Sequence, residues 1–147
     1  GGLGGDAGPV GGAAGRGANV FKPGNHGSTF GGNPLACIAA LTTLDVIEGD
    51  GLMVRASELG GSIRDALRQA LAGLAGVVDI RGDGLMIGIE LDRPCGELVR
   101  LAQDAGLLIN VTAERVIRLL PPLVLSDDEA RGLVAILVPV IRGFLGA

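Results

Sequence analysis

Residues 52–91 carry the pattern that most restricts the fold of this chain, an amphipathic helix followed at once by a β-hairpin. Apolar residues recur every three or four positions over residues 52–74 and predict a helix with one continuous apolar stripe: Leu52, Ala56, Leu59, Ile63, Leu67, Leu71 and Leu74. Residues 77–81 predict a strand, residues 82–84 a turn, and residues 85–91 the second strand of the hairpin. The adjacent pair Gly60 and Gly61 is expected to weaken the helix by about 1 kcal/mol per glycine relative to alanine.

The remaining elements continue the same alternation of helices and short strands. We expect helices over residues 34–48 and 96–105, and strands over residues 107–111 and 114–119. The first of these helices is apolar all round, which predicts that it is buried. Short strands interleaved with helices predict an α+β fold, in which a short antiparallel sheet is covered by helices on one face.

The sequence predicts where the last helix begins and a disturbance before its end. Ser126 and Glu129 form a capping-box pattern, with Ser126 as the N-cap residue. Pro139 lies inside the helical pattern that follows and predicts a kink or an early end, because proline lacks the N–H that the helix needs.

Composition excludes several classes of protein. Hydrophobic residues make up 48% of the chain but aromatic residues only 2%, so we expect a core of Leu, Val, Ile and Ala. The net charge of −4 and the absence of a basic cluster disfavour binding to nucleic acid or to an anionic membrane. The sequence lacks an apolar run of membrane-spanning length and a signal-peptide pattern. Cys37 and Cys95 lack the spacing of metal ligands and form no disulfide framework, so we expect no metal site and a reducing cytoplasm.

Residues 26–36 combine features that suit an anion. Ser28 and Thr29 supply two hydroxyls. The glycines that allow the backbone to turn and to approach a ligand closely are Gly27, Gly31 and Gly32. Asn33 and Pro34 predict a helix start, with Asn33 as the N-cap residue. Hydroxyls and free N–H groups beside a helix N-terminus favour an anion, most often a phosphate.

Other interpretations of this motif remain open. The Thr29 hydroxyl is equally typical of a turn or a cap. His26 is the only histidine of the chain, and a lone histidine without a proton-transfer partner is more often structural than catalytic. Lys22, the only lysine, is expected to be a surface residue.

Arg118 is the second candidate site residue. It lies in an apolar strand that ends at two prolines, and a guanidinium in such surroundings favours a bidentate carboxylate partner. The alternative is an arginine on an edge strand that points to solvent. Asp83 and Glu90 are interpreted as a turn residue and a solvated strand residue rather than a catalytic pair.

The motif of residues 26–36 and the block Val-Ile-Arg-Leu-Leu-Pro-Pro-Leu at residues 116–123 resemble two motifs of the class III pyridoxal-phosphate-dependent aminotransferases, in particular the acetylornithine and ornithine aminotransferase group. The resemblance runs from about residue 20 to the end. It implies the C-terminal part of a fold-type I transferase. Residues 1–32 would be a Gly-rich remnant of the large cofactor-binding domain with a phosphate-contacting loop, and residues 33–147 a linking helix and the small domain. A plain Gly-rich linker is the competing interpretation of the first residues.

The resemblance also implies the site and the reaction. Thr29 and Ser28 would bind the cofactor phosphate, and Arg118, with Ser28, would bind the substrate carboxylate. The substrates would be amino acids and 2-oxo acids, most simply N-acetylornithine and 2-oxoglutarate in arginine biosynthesis, and the site would be shared across a homodimer.

The catalytic residue is missing from this pattern. The family's Schiff-base lysine precedes a Gly-Leu-Gly-Gly run, and here Gly1 stands at that position, so the chain alone is expected to be inactive. The alternatives are a non-catalytic remnant or partner module of an aminotransferase-like dimer, and a simple phosphate-binding α+β domain.

Overall fold

The structure, a computed structural model, describes residues 31–146. The helices are α1 (Pro34–Gly49), α2 (Leu52–Ala70), α3 (Leu98–Asp104) and α4 (Asp127–Leu145), and the strands are β1 (Val77–Asp83), β2 (Met86–Leu91), β3 (Asn110–Thr112) and β4 (Val116–Leu119). The chain divides into two compact units, Gly1–Thr42 and Thr43–Ala147. The second unit holds the sheet with α2, α3 and α4, which confirms the predicted α+β class.

The four strands form one antiparallel sheet in the order β1-β2-β4-β3. The hairpin of β1 and β2 is confirmed. Strand β3 begins three residues later than predicted, because Gly106 adopts a left-handed φ of 86° and the chain caps α3 with a bond from the Leu107 N–H to the Ala102 carbonyl. Strand β4 also begins later, because Ala113 and Glu114 have φ values of 47° and 62° and form the turn before it.

The core lies between one face of the sheet and the helices α2 and α4. The sheet contributes six buried aliphatic side chains: Ile80, Ile87, Ile89, Leu91, Ile117 and Leu119. The predicted stripe of α2 is buried from Ala56 to Leu71, and α4 buries Ala130, Leu133, Leu137 and Ile141. No residue of this core is aromatic, which confirms the expectation of an aliphatic core.

Gly60 of α2 lies close against the turn of the hairpin. A Cβ atom at this position would lie 1.9 Å from the carbonyl oxygen of Gly84. The same oxygen accepts a hydrogen bond of 3.0 Å from Arg64 Nη1. At Gly61 the nearest atom to an added Cβ is Arg64 Nη2, at 4.0 Å. The two glycines therefore differ: Gly60 lets the helix pack on the turn, whereas Gly61 only lowers helix propensity.

Helix α4 begins as predicted and does not end early. The Ser126 hydroxyl accepts from the Glu129 N–H, and the Glu129 carboxylate accepts from the Ser126 N–H, so the capping box is confirmed. Of the two expected effects of Pro139, the early end is wrong, because α4 continues to Leu145, and the kink stays a prediction. Because Pro139 has no N–H, the carbonyl of Ala135 lacks its usual helical hydrogen bond. Pro139 and Ala135 both lie on the exposed side of the helix, where water can bond this carbonyl.

Helix α1 differs from the other helices. Its N-cap is confirmed, because Asn33 Oδ1 accepts from the Ala36 N–H at 3.0 Å. The expected burial is wrong: no residue of α1 is buried, and Leu35 and Ile38 expose 79% and 62% of their surface. A helix that is apolar all round is buried where other parts of a protein pack around it, and the described residues leave this surface of α1 uncovered. Within residues 31–146, no helix has the length and apolar character needed to cross a membrane.

Candidate functional site

Arg118 lies on the face of the sheet that is turned away from the core. Its strand, β4, is flanked by β2 and β3, so the alternative of an edge strand is wrong. The neighbours Ile117 and Leu119 are buried in the core while Arg118 is exposed, as the alternation of a strand requires. We call this second surface the open face.

Arg118 is distinguished from the other arginines by its lack of a partner. Residues 31–146 contain ten arginines, and nine of them form an ion pair or donate a hydrogen bond to a carbonyl: Arg55, Arg64, Arg68, Arg81, Arg93, Arg100, Arg115, Arg131 and Arg142. Among these described residues, none pairs with the Arg118 guanidinium. Within residues 31–146, nothing else uses its five N–H donors, so they can bind an external anion.

The open face forms a shallow cavity around Arg118. Four residues lie in direct register across the strands: Arg81 on β1, Gly88 on β2, Arg118 on β4 and Asn110 on β3. A cavity of about 280 Å³ is lined by the first three of these and by Thr112 and Val116, among others. Two guanidiniums thus border one cavity, with a glycine between them.

Arg81 belongs to a charged cluster at one side of this cavity. Its Nη1 donates to Glu90 Oε2 at 2.7 Å and to Asp79 Oδ2 at 3.0 Å, and Arg115 Nη2 lies 3.1 Å from Glu90 Oε1. The hydrogen bonds to Glu90 and Asp79 raise the pKa of Arg81 above its ordinary value. The expectation that Glu90 is a solvated residue is wrong, since two arginines hold it and only 18% of its side chain is exposed. Asp83 is the last residue of β1 rather than a turn residue.

Arg81 and Gly88 were not predicted from the sequence to share a surface with Arg118. Only the strand register brings them together, since they are 30 residues or more from Arg118 in sequence. One signal was present, because a glycine inside a predicted strand often marks a close approach of a ligand or of another backbone.

The predicted phosphate-binding residues Ser28 and Thr29 lie outside the described residues, as do His26, Lys22 and Gly1. Their predicted roles stay predictions. Among residues 31–146, no three His, Cys, Asp or Glu side chains are grouped so that they would hold a metal ion. Burial raises the pKa of the Cys95 thiol, which keeps it protonated and unreactive.

Comparison with known proteins identifies the family. Residues 11–141 match the family described as Aminotransferase class-III. The chain is 60% identical to acetylornithine aminotransferase 1 of Bordetella pertussis over 133 residues, which are 90% of this chain and 34% of that protein. It is 52% identical to acetylornithine aminotransferase of Nitrosomonas europaea, with the same coverage. The chain thus spans about a third of the length of these curated relatives.

Solved structures agree with the sequence comparison. The chain superposes on acetylornithine aminotransferase of Elizabethkingia anophelis with a TM-score of 0.74 and 37% identity, covering 84% of this chain and 34% of the other. It superposes on an ornithine aminotransferase of Toxoplasma gondii, described with partial occupancy of PLP at its active site, with a TM-score of 0.75 and 40% identity, covering 83% of this chain and 30% of the other. The chain belongs to the class III aminotransferase family, and the fold is that of the fold-type I enzymes, as the two sequence motifs indicated.

Proposed function

We propose that this chain is the small-domain part of an acetylornithine aminotransferase, in which Arg118 binds the carboxylate of the substrate. The observation that carries the proposal is the guanidinium of Arg118, which has no partner within residues 31–146 and lies beside a cavity on the open face. An exposed, unpartnered arginine on a rigid central strand has the geometry to hold a carboxylate in a bidentate pair. We further propose that residues 1–32 belong to the large domain and residues 33–147 to the linking helix and small domain.

The identity of the substrate rests on the relatives. Curated relatives that are 41–60% identical to this chain are named acetylornithine aminotransferases. We therefore propose N-acetylornithine as amino donor and 2-oxoglutarate as acceptor, a step of arginine biosynthesis in the cytoplasm. A homodimer that shares its active sites is part of the same proposal.

The residue types of the chain suit the cofactor of this reaction. Pyridoxal phosphate, when bound, supplies the aldehyde and the electron sink that transamination needs. Ser28 and Thr29 would hold its phosphate, because two adjacent hydroxyls beside a helix N-terminus are a suitable donor set for that group. Arg118 would orient the substrate by fixing its carboxylate, which limits the rotation of the substrate in the site.

We also propose that these 147 residues are inactive as an isolated chain. Their only lysine is Lys22, which does not occupy the position before the Gly-Leu-Gly-Gly run at residues 2–5. An amine at that position is needed for the covalent link to the cofactor. The alternative, a non-catalytic partner of a complete subunit, is motivated by the same absence, and a pull-down with a complete relative after co-expression tests it.

The proposal is tested by replacing Arg118 in a complete subunit, in which this chain carries Gly1→Lys and follows the large domain of the Nitrosomonas europaea relative. The variant Arg118→Gln is expected to raise the KM for 2-oxoglutarate by about 10²-fold, since truncating one partner of a charged pair costs about 2–5 kcal/mol. Arg100→Gln, on the surface of α3, is the matched control and should leave KM unchanged. An unchanged KM in Arg118→Gln would show that Arg118 is not the carboxylate ligand.

A further inference from the structure

Arg81, Gly88 and Arg118 form a row across the open face, on three adjacent strands, and Gly88 is its middle member. It is directly opposite Arg81 on one side and directly opposite Arg118 on the other. Neighbouring strands are about 4.8 Å apart, so the stems of the two arginines flank roughly 10 Å of sheet whose centre carries no side chain. The centre of this strip therefore carries no side chain of its own, and Val116 and Arg81 flank it.

Arg81 has N–H groups that can still donate to a ligand lying on this strip. Both of its hydrogen bonds within residues 31–146, to Asp79 and to Glu90, use the same atom, Nη1. The Nε and Nη2 hydrogens have no partner among residues 31–146. Asp79 and Glu90 offset the charge of Arg81, so Arg118 carries the uncompensated charge of the row while Arg81 still offers N–H groups.

We infer that Gly88 is a specificity-determining residue of the carboxylate site, because its missing side chain lets a carboxylate held by Arg118 and the carbon chain attached to it lie against β2 as far as Arg81. This inference rests on the proposed role of Arg118. It adds that the site selects its ligand by the space above Gly88 as well as by charge, and that elongated carboxylates benefit most from this space.

The surroundings of Gly88 allow a test that leaves the fold intact. An added Cβ would lie 3.4 Å from Val116 Cγ1 and 3.9 Å from Arg81 Cγ, which are ordinary contact distances, and the backbone of Gly88 is not left-handed. Alanine is therefore accommodated by the sheet, and its methyl group occupies the centre of this strip. Gly96 is the matched control, since it is exposed and an added Cβ there meets no atom within 4 Å.

The test measures binding of two non-reacting carboxylates, glutarate and acetate, by calorimetry to the complete subunit with Gly1→Lys described above, loaded with cofactor. In Gly88→Ala, we expect the Kd of glutarate to rise by about tenfold, the scale of one methyl group in a binding pocket. The Kd of acetate should change much less, because acetate is short enough to stay at Arg118. In the same variant the KM for 2-oxoglutarate should rise with little change in kcat, and Gly96→Ala should behave as the wild type.

The possible results separate the inference from the proposed function. An unchanged Kd of glutarate in Gly88→Ala, or an equal loss for glutarate and acetate, overturns the role of Gly88, since a general defect in folding weakens both ligands alike. If Arg118→Gln binds glutarate as tightly as the wild type, the proposed function fails as well. If Arg118→Gln loses glutarate and Gly88→Ala does not, only the inference about Gly88 fails.

Discussion

The two faces of the sheet are built from the same four strands but have different roles. On the inner face, Ile87, Ile89 and Ile117 are completely buried, in one hydrophobic cluster with residues of α2, α3 and α4. On the open face, the neighbouring positions in the same strands carry Arg81, a glycine and Arg118. Because side chains alternate along a strand, each strand fixes the fold with one set of residues and presents the candidate site with the other. Stability and binding should therefore be separable by mutation.

The largest effect is expected on the inner face. Ile89→Ala should lower the free energy of unfolding by about 2–5 kcal/mol, because it removes buried methyl groups and leaves a cavity. Met86→Ala on the open face of the same strand, where Met86 is 56% exposed, should change it by less than about 0.5 kcal/mol. Urea unfolding measures both variants, and equal losses would contradict the division of the sheet into two faces.

The contact between α2 and the hairpin provides the next test. Gly60→Ala should destabilise the protein by about 1–3 kcal/mol, because the new methyl group would overlap the Gly84 carbonyl and force the helix away from the turn. Gly61→Ala makes the same chemical change without a clash and should stabilise by up to about 1 kcal/mol through helix propensity. Opposite signs in thermal unfolding are expected, and a gain in stability for both variants would contradict the close approach at Gly60.

The N-terminal cap of α4, a helix that packs in the core, is expected to contribute less to the free energy of unfolding. Ser126→Ala removes the acceptor for the Glu129 N–H and should cost about 1 kcal/mol in urea unfolding. The hydrogen bonds from Ser126 also lower the pKa of Glu129 in the folded state. The ionised carboxylate therefore stabilises the folded state at pH values above the pKa that Glu129 has in the unfolded chain. This part of the stability is lost as the pH falls through the lowered pKa of the folded state. A stability curve of Ser126→Ala with the same acid limb as the wild type would exclude this coupling.

Sequence reasoning succeeded where a pattern is local. The stripe of α2, the hairpin and the caps at Asn33 and Ser126 all follow from neighbouring residues. The role of Arg118 stays a prediction. It failed where the outcome depends on long-range contacts. The burial of α1 depends on what covers it, the role of Gly60 depends on the turn at Gly84, and the environment of Glu90 depends on the strand register that brings Arg81 and Arg115 to it.

The smallest effect on stability, and the most informative about the open face, is expected at Arg118. Arg118→Gln should change the free energy of unfolding by less than about 0.5 kcal/mol, because no ion pair within residues 31–146 is lost. Arg81→Gln breaks the pairs with Asp79 and Glu90 and should cause a small loss that shrinks as salt is added, since exposed ion pairs are screened. Urea unfolding at low and high salt distinguishes the two. A salt-dependent loss in Arg118→Gln would mean that this guanidinium already has a partner in the folded chain, which would remove the reason for assigning it to a ligand.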